Sequence, residues 1–163
     1  MVSRMDKHVG QILDLLKELG VDGRTLVFFC SDNGAPRKDF GDLFESDGQL
    51  RGWKGELREG GIPVPMIARW PRRVPAGKES SAPWYFADFM PTAAGLAGLT
   101  PPSCDGRDVL PLLTGRQSEF PTRILYWESP GKQLEQAVRF DRWRGYCAGL
   151  DGALELYDLA SDP

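Results

Sequence analysis

Residues 25–30 form a short and continuous apolar run, Thr25-Leu26-Val27-Phe28-Phe29-Cys30. A run of this length without polar alternation predicts a strand buried on both faces of a parallel sheet. Before it, apolar residues recur at spacings of three and four from Ser3 to Leu19, and Gly20 ends that pattern. This periodicity predicts an amphipathic helix. A helix followed directly by a buried strand indicates an α/β fold.

The rest of the chain divides into two parts with different patterns. A second strand is predicted over residues 66–70, and a short helix with Asp88 as its N-cap is predicted to end at Gly98. After the Pro101-Pro102 pair, short apolar segments separated by Gly, Pro and Asp lie at residues 124–127, 137–140, 143–148 and 154–157. These segments predict a small antiparallel sheet. We therefore expect an α/β domain over residues 1–115 and an antiparallel subdomain over residues 116–163.

Composition excludes several classes of partner. A formal charge of −3 and a pI near 5.2 provide no basic surface for nucleic acid or for an anionic membrane. No apolar run approaches the roughly 20 residues that span a bilayer, and no signal peptide is evident at the first residues. We expect no nucleic-acid or membrane partner, and the compartment stays open. The three cysteines, Cys30, Cys104 and Cys147, are expected to be small buried residues.

Ser31-Asp32-Asn33-Gly34 directly follows the predicted strand, where open α/β sheets place their ligands. Asp32 provides a carboxylate and Asn33 an amide oxygen, both of which suit Ca²⁺ or Mg²⁺, and Gly34 permits a sharp turn. A calcium site requires 6 to 8 oxygen ligands. On these four residues alone, an Asx turn that ends a strand is the simpler interpretation.

A second polar segment, residues 50–61, reads Leu-Arg-Gly-Trp-Lys-Gly-Glu-Leu-Arg-Glu-Gly-Gly. Three cations among glycines could surround an anion, and Lys54 is the candidate for a point charge on sulfate or phosphate oxygens. Glu56 and Glu59 partly neutralise the cluster. Taken alone, a solvated charged loop is the simpler interpretation of this segment as well.

The order of these motifs resembles the sulfatase family of the alkaline-phosphatase-like superfamily. The matching segments are Ser31-Asp32-Asn33-Gly34, then Gly52-Trp53-Lys54-Gly55 and Glu59-Gly60-Gly61, then Val64-Pro65-Met66-Ile67-Ala68-Arg69-Trp70-Pro71. Further segments follow in the family's order up to Asp162-Pro163, so the resemblance covers nearly the whole chain. It implies the C-terminal part of a sulfatase core, followed by a small antiparallel C-terminal sheet.

The resemblance also implies a function, a cofactor and site residues. Members of this family hydrolyse sulfate esters with a formylglycine, made from a cysteine or serine, and a divalent metal, usually Ca²⁺. Asp32 and Asn33 resemble two of the family's metal ligands, and Lys54 resembles the lysine that contacts the sulfate group. The expected substrate is a sulfated small molecule or a glycan.

The chain departs from the family pattern in several places. The formylglycine motif, C-x-P-S-R or its serine form, is absent, and Cys104-Asp105-Gly106-Arg107 does not replace it. The aspartate pair that completes the family's metal site is also missing, and His8 is the sole histidine. Arg58 and Pro63 stand where the family pattern has a tyrosine and an arginine.

These departures leave three interpretations. The first is a truncated sulfatase that lacks its N-terminal half, is inactive alone and requires that half as its partner. The second is a phosphodiesterase or phosphonate hydrolase of the same superfamily. The third is a non-catalytic remnant or accessory domain that retains the fold.

Overall fold

The computed structural model describes residues 1–36, 48, 50–130 and 133–162. The predicted polar segment over residues 31–61 therefore lies partly outside the described residues. The elements in chain order are α1 (Val2–Glu18), β1 (Val27–Cys30), β2 (Met66–Arg69), α2 (Phe89–Leu96), α3 (Leu110–Leu113), β3 (Ile124–Ser129), β4 (Glu135–Phe140), β5 (Trp143–Ala148) and β6 (Glu155–Asp158). The mixed α and β composition and the order of these elements confirm the sequence-based prediction.

Two compact units can be distinguished, and both are discontinuous in sequence. The first contains residues 1–29 and 67–120, and the second contains residues 30–66 and 121–163. The predicted domain boundary at residue 115 stays a prediction, because packing units of this kind do not define domains. None of the described helices is long and apolar enough to cross a membrane.

In the first unit, β1 pairs with β2 in a two-stranded sheet. Phe28 of β1 packs against Trp84 and Phe89, with ring centroids 5.5 and 6.1 Å apart. The prediction of a strand buried on both faces is wrong for these residues, because Val27 to Phe29 are only half-buried and Cys30 is exposed. A two-stranded sheet has too few neighbours to cover both faces of β1. Cys104 is also exposed, so the expectation of buried cysteines is wrong at both positions.

Asp88 has a different structural role from the one that its position suggests. It occupies the N-cap position of α2, as predicted, but its side chain makes no capping hydrogen bond to that helix. Its carboxylate instead accepts hydrogen bonds from the backbone N–H of Tyr85 at 3.1 Å and of Arg107 at 2.8 Å. Asp88 therefore connects the start of α2 to the segment that leads into α3.

The second unit contains a four-stranded antiparallel sheet in the order β3-β4-β5-β6. This sheet confirms the predicted C-terminal antiparallel structure. Its register aligns Ala137 of β4 with Trp127 of β3 on one side and with Tyr146 of β5 on the other. Ala137 and Tyr146 are buried. Arg144, two residues before Tyr146 on β5, is also buried, and it forms part of the candidate site described below.

Candidate metal and sulfate site

The segment after β1 forms a tight turn stabilised by its own side chains. The Ser31 hydroxyl donates a hydrogen bond to the Asn33 carbonyl at 3.0 Å, and the Asn33 amide nitrogen donates to the Gly34 carbonyl at 3.1 Å. This geometry engages the amide nitrogen of Asn33 and leaves its side-chain oxygen available as an acceptor. Asp32 is exposed, and its carboxylate has no ion-pair or hydrogen-bond partner among the described residues.

Backbone hydrogen bonds connect this turn to residues 50–61, hereafter the lysine loop. The Lys54 N–H donates to the Ala35 carbonyl at 2.7 Å, and the Gly34 N–H donates to the Gly61 carbonyl at 3.0 Å. Within the loop, the Gly60 N–H donates to the Arg51 carbonyl at 2.7 Å. The structure therefore brings the segments that carry Asp32, Asn33 and Lys54 together. The assignment of these three side chains to metal and sulfate stays a prediction.

Close backbone contacts at three glycines shape this region, one between the two segments and two within the lysine loop. A Cβ atom at Gly34 would collide with the Gly60 carbonyl oxygen, and a Cβ atom at Gly60 would collide with the Gly52 carbonyl oxygen. A Cβ atom at Gly61 would meet the Glu56 carbonyl oxygen in the same way. A larger residue at Gly34 would push the lysine loop away from the turn that follows β1, and one at Gly60 or Gly61 would disrupt the path of the loop itself.

The lysine loop is also held by the antiparallel sheet through charged side chains. The Arg58 guanidinium donates to both Glu155 oxygens, at 2.8 and 2.9 Å, and stacks over the Tyr146 ring at 4.2 Å. The Arg144 Nη2 donates to the Leu57 carbonyl at 2.5 Å. Glu135 of β4 accepts a hydrogen bond from the Leu57 N–H at 3.3 Å. These contacts fix the middle of the loop on strands β4, β5 and β6.

These ion pairs shift the pKa values of their members. The hydrogen bonds from Arg58 and then Tyr157 lower the pKa of Glu155 to about 2, and the Glu155 carboxylate in turn raises the pKa of Arg58. Burial lowers the pKa of Arg144, an effect that the charge of Glu59 opposes. Glu155 and Arg58 are therefore both charged at neutral pH, and this anchor of the lysine loop is ionic.

Sequence reasoning missed this network. The sequence shows Arg58 as one of the three cations of the loop and as a departure from the family's pattern, and it gives no sign that Arg144 belongs to a site. The partners lie 87 residues apart for Arg144 and Leu57 and 97 residues apart for Arg58 and Glu155. No local spacing could have related them. The turn residues and Lys54 were found because they lie in short motifs.

Lys54 differs from the arginines of its loop. It is exposed, and its ammonium group has no ion-pair or hydrogen-bond partner among the described residues.

Within the same described residues, no group of three or more His, Cys, Asp or Glu side chains could enclose a metal ion. His8 lies on α1 and bonds to Gln11 at 3.0 Å. Among the described residues, the arrangement can thus offer two oxygen ligands and one cation whose side chain has no partner.

Comparison with known proteins identifies the family. The sulfatase family model matches residues 1–99, which is more than half of the chain. The chain belongs to the sulfatase family. Mouse steryl-sulfatase is 44% identical over 121 residues, which are 70% of this chain and 19% of that protein. Mouse N-acetylgalactosamine-6-sulfatase is 40% identical over 165 aligned positions, which cover 99% of this chain and 31% of that protein.

Solved structures share the fold along almost the entire chain. The crystal structure of Ps i-CgsB in complex with k-i-k-neocarrahexaose has a TM-score of 0.84 and 30% identity, covering 98% of this chain and 35% of that one. The structure of BT4656 with its substrate D-glucosamine-2-N,6-O-disulfate has a TM-score of 0.78 and 25% identity, covering 99% and 33% of the two chains. The sulfatase chain thus spans between a fifth and about a third of the proteins that it matches.

Proposed function

We propose that this chain supplies the metal-binding and sulfate-binding edge of a sulfuric ester hydrolase. The observation that supports the proposal is the backbone hydrogen bond from Lys54 to Ala35, which joins the loop that carries this lysine to the segment that follows the Asp32-Asn33 turn. Membership of the sulfatase family supports sulfate esters as the substrate class. The relatives include a steryl-sulfatase and an N-acetylgalactosamine-6-sulfatase, so the proposed substrate is a sulfated small molecule or glycan.

Asp32 and Asn33 would hold the divalent metal, which we propose to be Ca²⁺. The donor set fits this ion, because a carboxylate and an amide oxygen are hard oxygen ligands, and the Asn33 amide nitrogen is already engaged by Gly34. Two ligands fill only part of a shell of 6 to 8, so the remaining ligands must be water or groups outside this pair. When bound, the metal would stabilise negative charge on the sulfate oxygens.

Lys54 would bind the sulfate group itself. Its ammonium group is exposed and unpaired among the described residues, whereas Arg58 of the same loop is neutralised by Glu155. A lysine is a compact point charge on a flexible stem, which suits contact with one oxygen of a tetrahedral anion. The role of Lys54 is to bind and orient the ester.

The chain alone is proposed to be inactive. It has no C-x-P-S-R motif or serine equivalent, so no residue fits the family's formylglycine position, and we derive no step through that group. Its one histidine, His8, is exposed on α1 and bonded to Gln11. The groups that attack sulfur and protonate the leaving group would have to come from an N-terminal segment of the sulfatase domain, which is the proposed partner.

Two other functions remain as alternatives. A phosphonate monoester hydrolase from Silicibacter pomeroyi has a TM-score of 0.71, but at 23% identity this likeness concerns the fold alone. A non-catalytic accessory domain would also retain the fold. Binding experiments distinguish both alternatives from the main proposal. An accessory domain need not bind Ca²⁺, and a phosphonate hydrolase need not prefer sulfate to phosphonate.

The binding test uses titration calorimetry on the 163-residue chain with Ca²⁺ and then with inorganic sulfate. Asp32→Ala should weaken Ca²⁺ binding by about tenfold or more, because a charged ligand is lost. Lys54→Met should weaken sulfate binding roughly tenfold, since a charge-assisted contact is lost. Asp151→Ala and Lys78→Met are matched controls, because both residues are exposed and lie outside the candidate site. Equal binding by Asp32→Ala and the Asp151 control would refute the metal assignment.

The activity test uses hydrolysis of an aryl sulfate by the same chain in the presence of Ca²⁺. We expect no turnover above the buffer rate, because the chain does not contain the motif from which the family makes its formylglycine nucleophile. Turnover that persists in Asp32→Ala would contradict both the inactivity of the chain and the assigned role of the metal.

A further inference from the structure

Arg144 lies on β5 and is buried, with only 2% of its surface exposed. Its guanidinium lies 4.7 Å from the centroid of the Trp127 ring of β3, a strand that β4 separates from β5 in the sheet. The face of the aromatic ring attracts the guanidinium through a cation–π interaction. Arg144 is therefore a buried and stacked cation inside the second unit.

Among the described residues, the polar contacts of Arg144 lead to the lysine loop. Nη2 donates to the Leu57 carbonyl at 2.5 Å, and Nη1 lies 3.4 Å from Glu59 Oε2. Leu57 and Glu59 follow Lys54 by three and five residues. The shorter contact is to the backbone, so Arg144 constrains the path of the loop more directly than it constrains any side chain.

We propose that Arg144 is a positioning residue, which holds the Leu57 carbonyl so that Lys54 stays next to the Asp32-Asn33 turn. This inference rests on the proposed sulfate contact of Lys54. Supporting side chains of this kind fix the residues that touch a ligand, and a displacement of about 1 Å can weaken their action considerably. The loop bonds from Gly60 to Arg51 and from Lys54 to Ala35 would transmit the constraint.

A purely structural role explains Arg144 poorly. Burying a guanidinium is costly, and well-packed apolar residues at such sites are often equally stabilising or better. The Nε of Arg144 makes no hydrogen bond within the described residues, so the burial is only partly compensated. The hydrogen bond from this buried cation goes to a carbonyl of the lysine loop. Such a contact can hold the loop in position.

The test measures amide hydrogen exchange, sulfate binding and thermal unfolding of the 163-residue chain. Arg144→Met should accelerate exchange at the Lys54 and Gly60 amides by about tenfold, and weaken sulfate binding about tenfold, because the loop loses its anchor. Exchange at Ala137, in the centre of the sheet, should stay within about twofold of the unmodified chain. Arg142→Met is the matched control, because Arg142 is exposed and its ion pair is with Asp158 of the sheet.

The measurements distinguish a positioning role of Arg144 from a merely structural one. A lower unfolding temperature for Arg144→Met, with unchanged exchange at Lys54 and Gly60, would show a merely structural role. If Arg144→Met does not fold, Arg144→Lys takes its place, since it keeps the charge but loses the planar donor set. A folded Arg144→Lys with loop exchange and sulfate binding equal to those of the unmodified chain would overturn the proposal. If Lys54→Met binds sulfate normally, the proposed function fails, while the exchange data still decide the role of Arg144.

Discussion

Arg58 and Glu155 form a two-point ion pair, with Nη1–Oε2 at 2.8 Å and Nη2–Oε1 at 2.9 Å. Tyr157 also donates its hydroxyl hydrogen to Glu155 Oε2. The pair connects the lysine loop to β6, whereas Lys54 of the same loop has no partner among the described residues. The two cations of this loop therefore differ in role: Arg58 anchors the loop, and Lys54 remains available for a ligand.

The Glu155 pair should make the stability of the chain sensitive to acid. The pKa of Glu155 is lowered to about 2 from its ordinary value of 4.5, so the pair stabilises the folded chain above pH 4.5. This contribution is lost as the pH falls from 4.5 towards 2. Glu155→Gln should lower the free energy of unfolding at pH 7 by about 1 kcal/mol, a value limited by solvent screening.

Urea unfolding at a series of pH values measures this effect. The difference between the unmodified chain and Glu155→Gln should shrink towards zero near pH 2, while Glu119→Gln, at an exposed site, should differ little at any pH. A difference that stays constant from pH 7 to pH 2 would mean that Glu155 stabilises the fold by some means other than its charge.

Gly34 should not tolerate a side chain. Gly34→Ala would place a methyl group against the Gly60 carbonyl oxygen, and overpacking of this kind costs about 1–3 kcal/mol. Ca²⁺ and sulfate binding should both weaken, because the turn and the lysine loop separate. Gly10→Ala is the control, since its Cβ meets nothing within 4 Å in α1 and should stabilise the helix by up to about 1 kcal/mol. Wild-type stability and binding in Gly34→Ala would show that the two segments need not touch.

The hydroxyl group of Thr92 should be required for the full stability of the chain. The buried hydroxyl donates to the Asp88 carbonyl at 2.7 Å and accepts a hydrogen bond from the Val109 N–H at 2.9 Å. Thr92→Val keeps the shape but leaves a buried N–H unpaired, which costs about 1–3 kcal/mol of unfolding free energy. Thr92→Ser keeps the hydroxyl and should lose less. Chemical denaturation compares the two, and equal losses would show that packing of the methyl group, and not the hydrogen bond, is what matters.

The elements that were predicted correctly carry a local signal. The spacing of Val9, Leu13 and Leu16 indicated α1, and these three residues form its half-buried face. The polar interruptions between apolar segments indicated the four strands of the C-terminal sheet. The burial of β1 was overestimated, because an apolar run shows what a strand could bury and not how many neighbours cover it. The partners of Arg144 and Asp88 were missed, because long-range contacts between a side chain and the backbone leave no periodic trace.

The remaining prediction concerns the apolar surface of α1. Only part of the apolar stripe of this helix is covered. Met5, Ile12, Leu15 and Leu19 recur at spacings of seven, three and four, so they share one face, and between 48% and 63% of each residue is exposed. An exposed apolar face of this kind favours association with other apolar surfaces. We expect the chain by itself to bind a hydrophobic dye and to aggregate at high concentration.

Replacing Ile12 and Leu15 by glutamine tests the origin of this behaviour. The double variant keeps the net charge of −3 and uses a good helix former, so the helix content should be unchanged while dye binding falls. Its unfolding free energy should change by less than about 0.5 kcal/mol, as is usual for surface positions. Leu16→Gln is the contrasting variant, because Leu16 is half-buried and its loss should destabilise the chain. If the unmodified chain stays monomeric, unfolds in a single cooperative transition and binds no dye, the apolar face of α1 is covered in solution, and the expectation of an exposed surface is wrong.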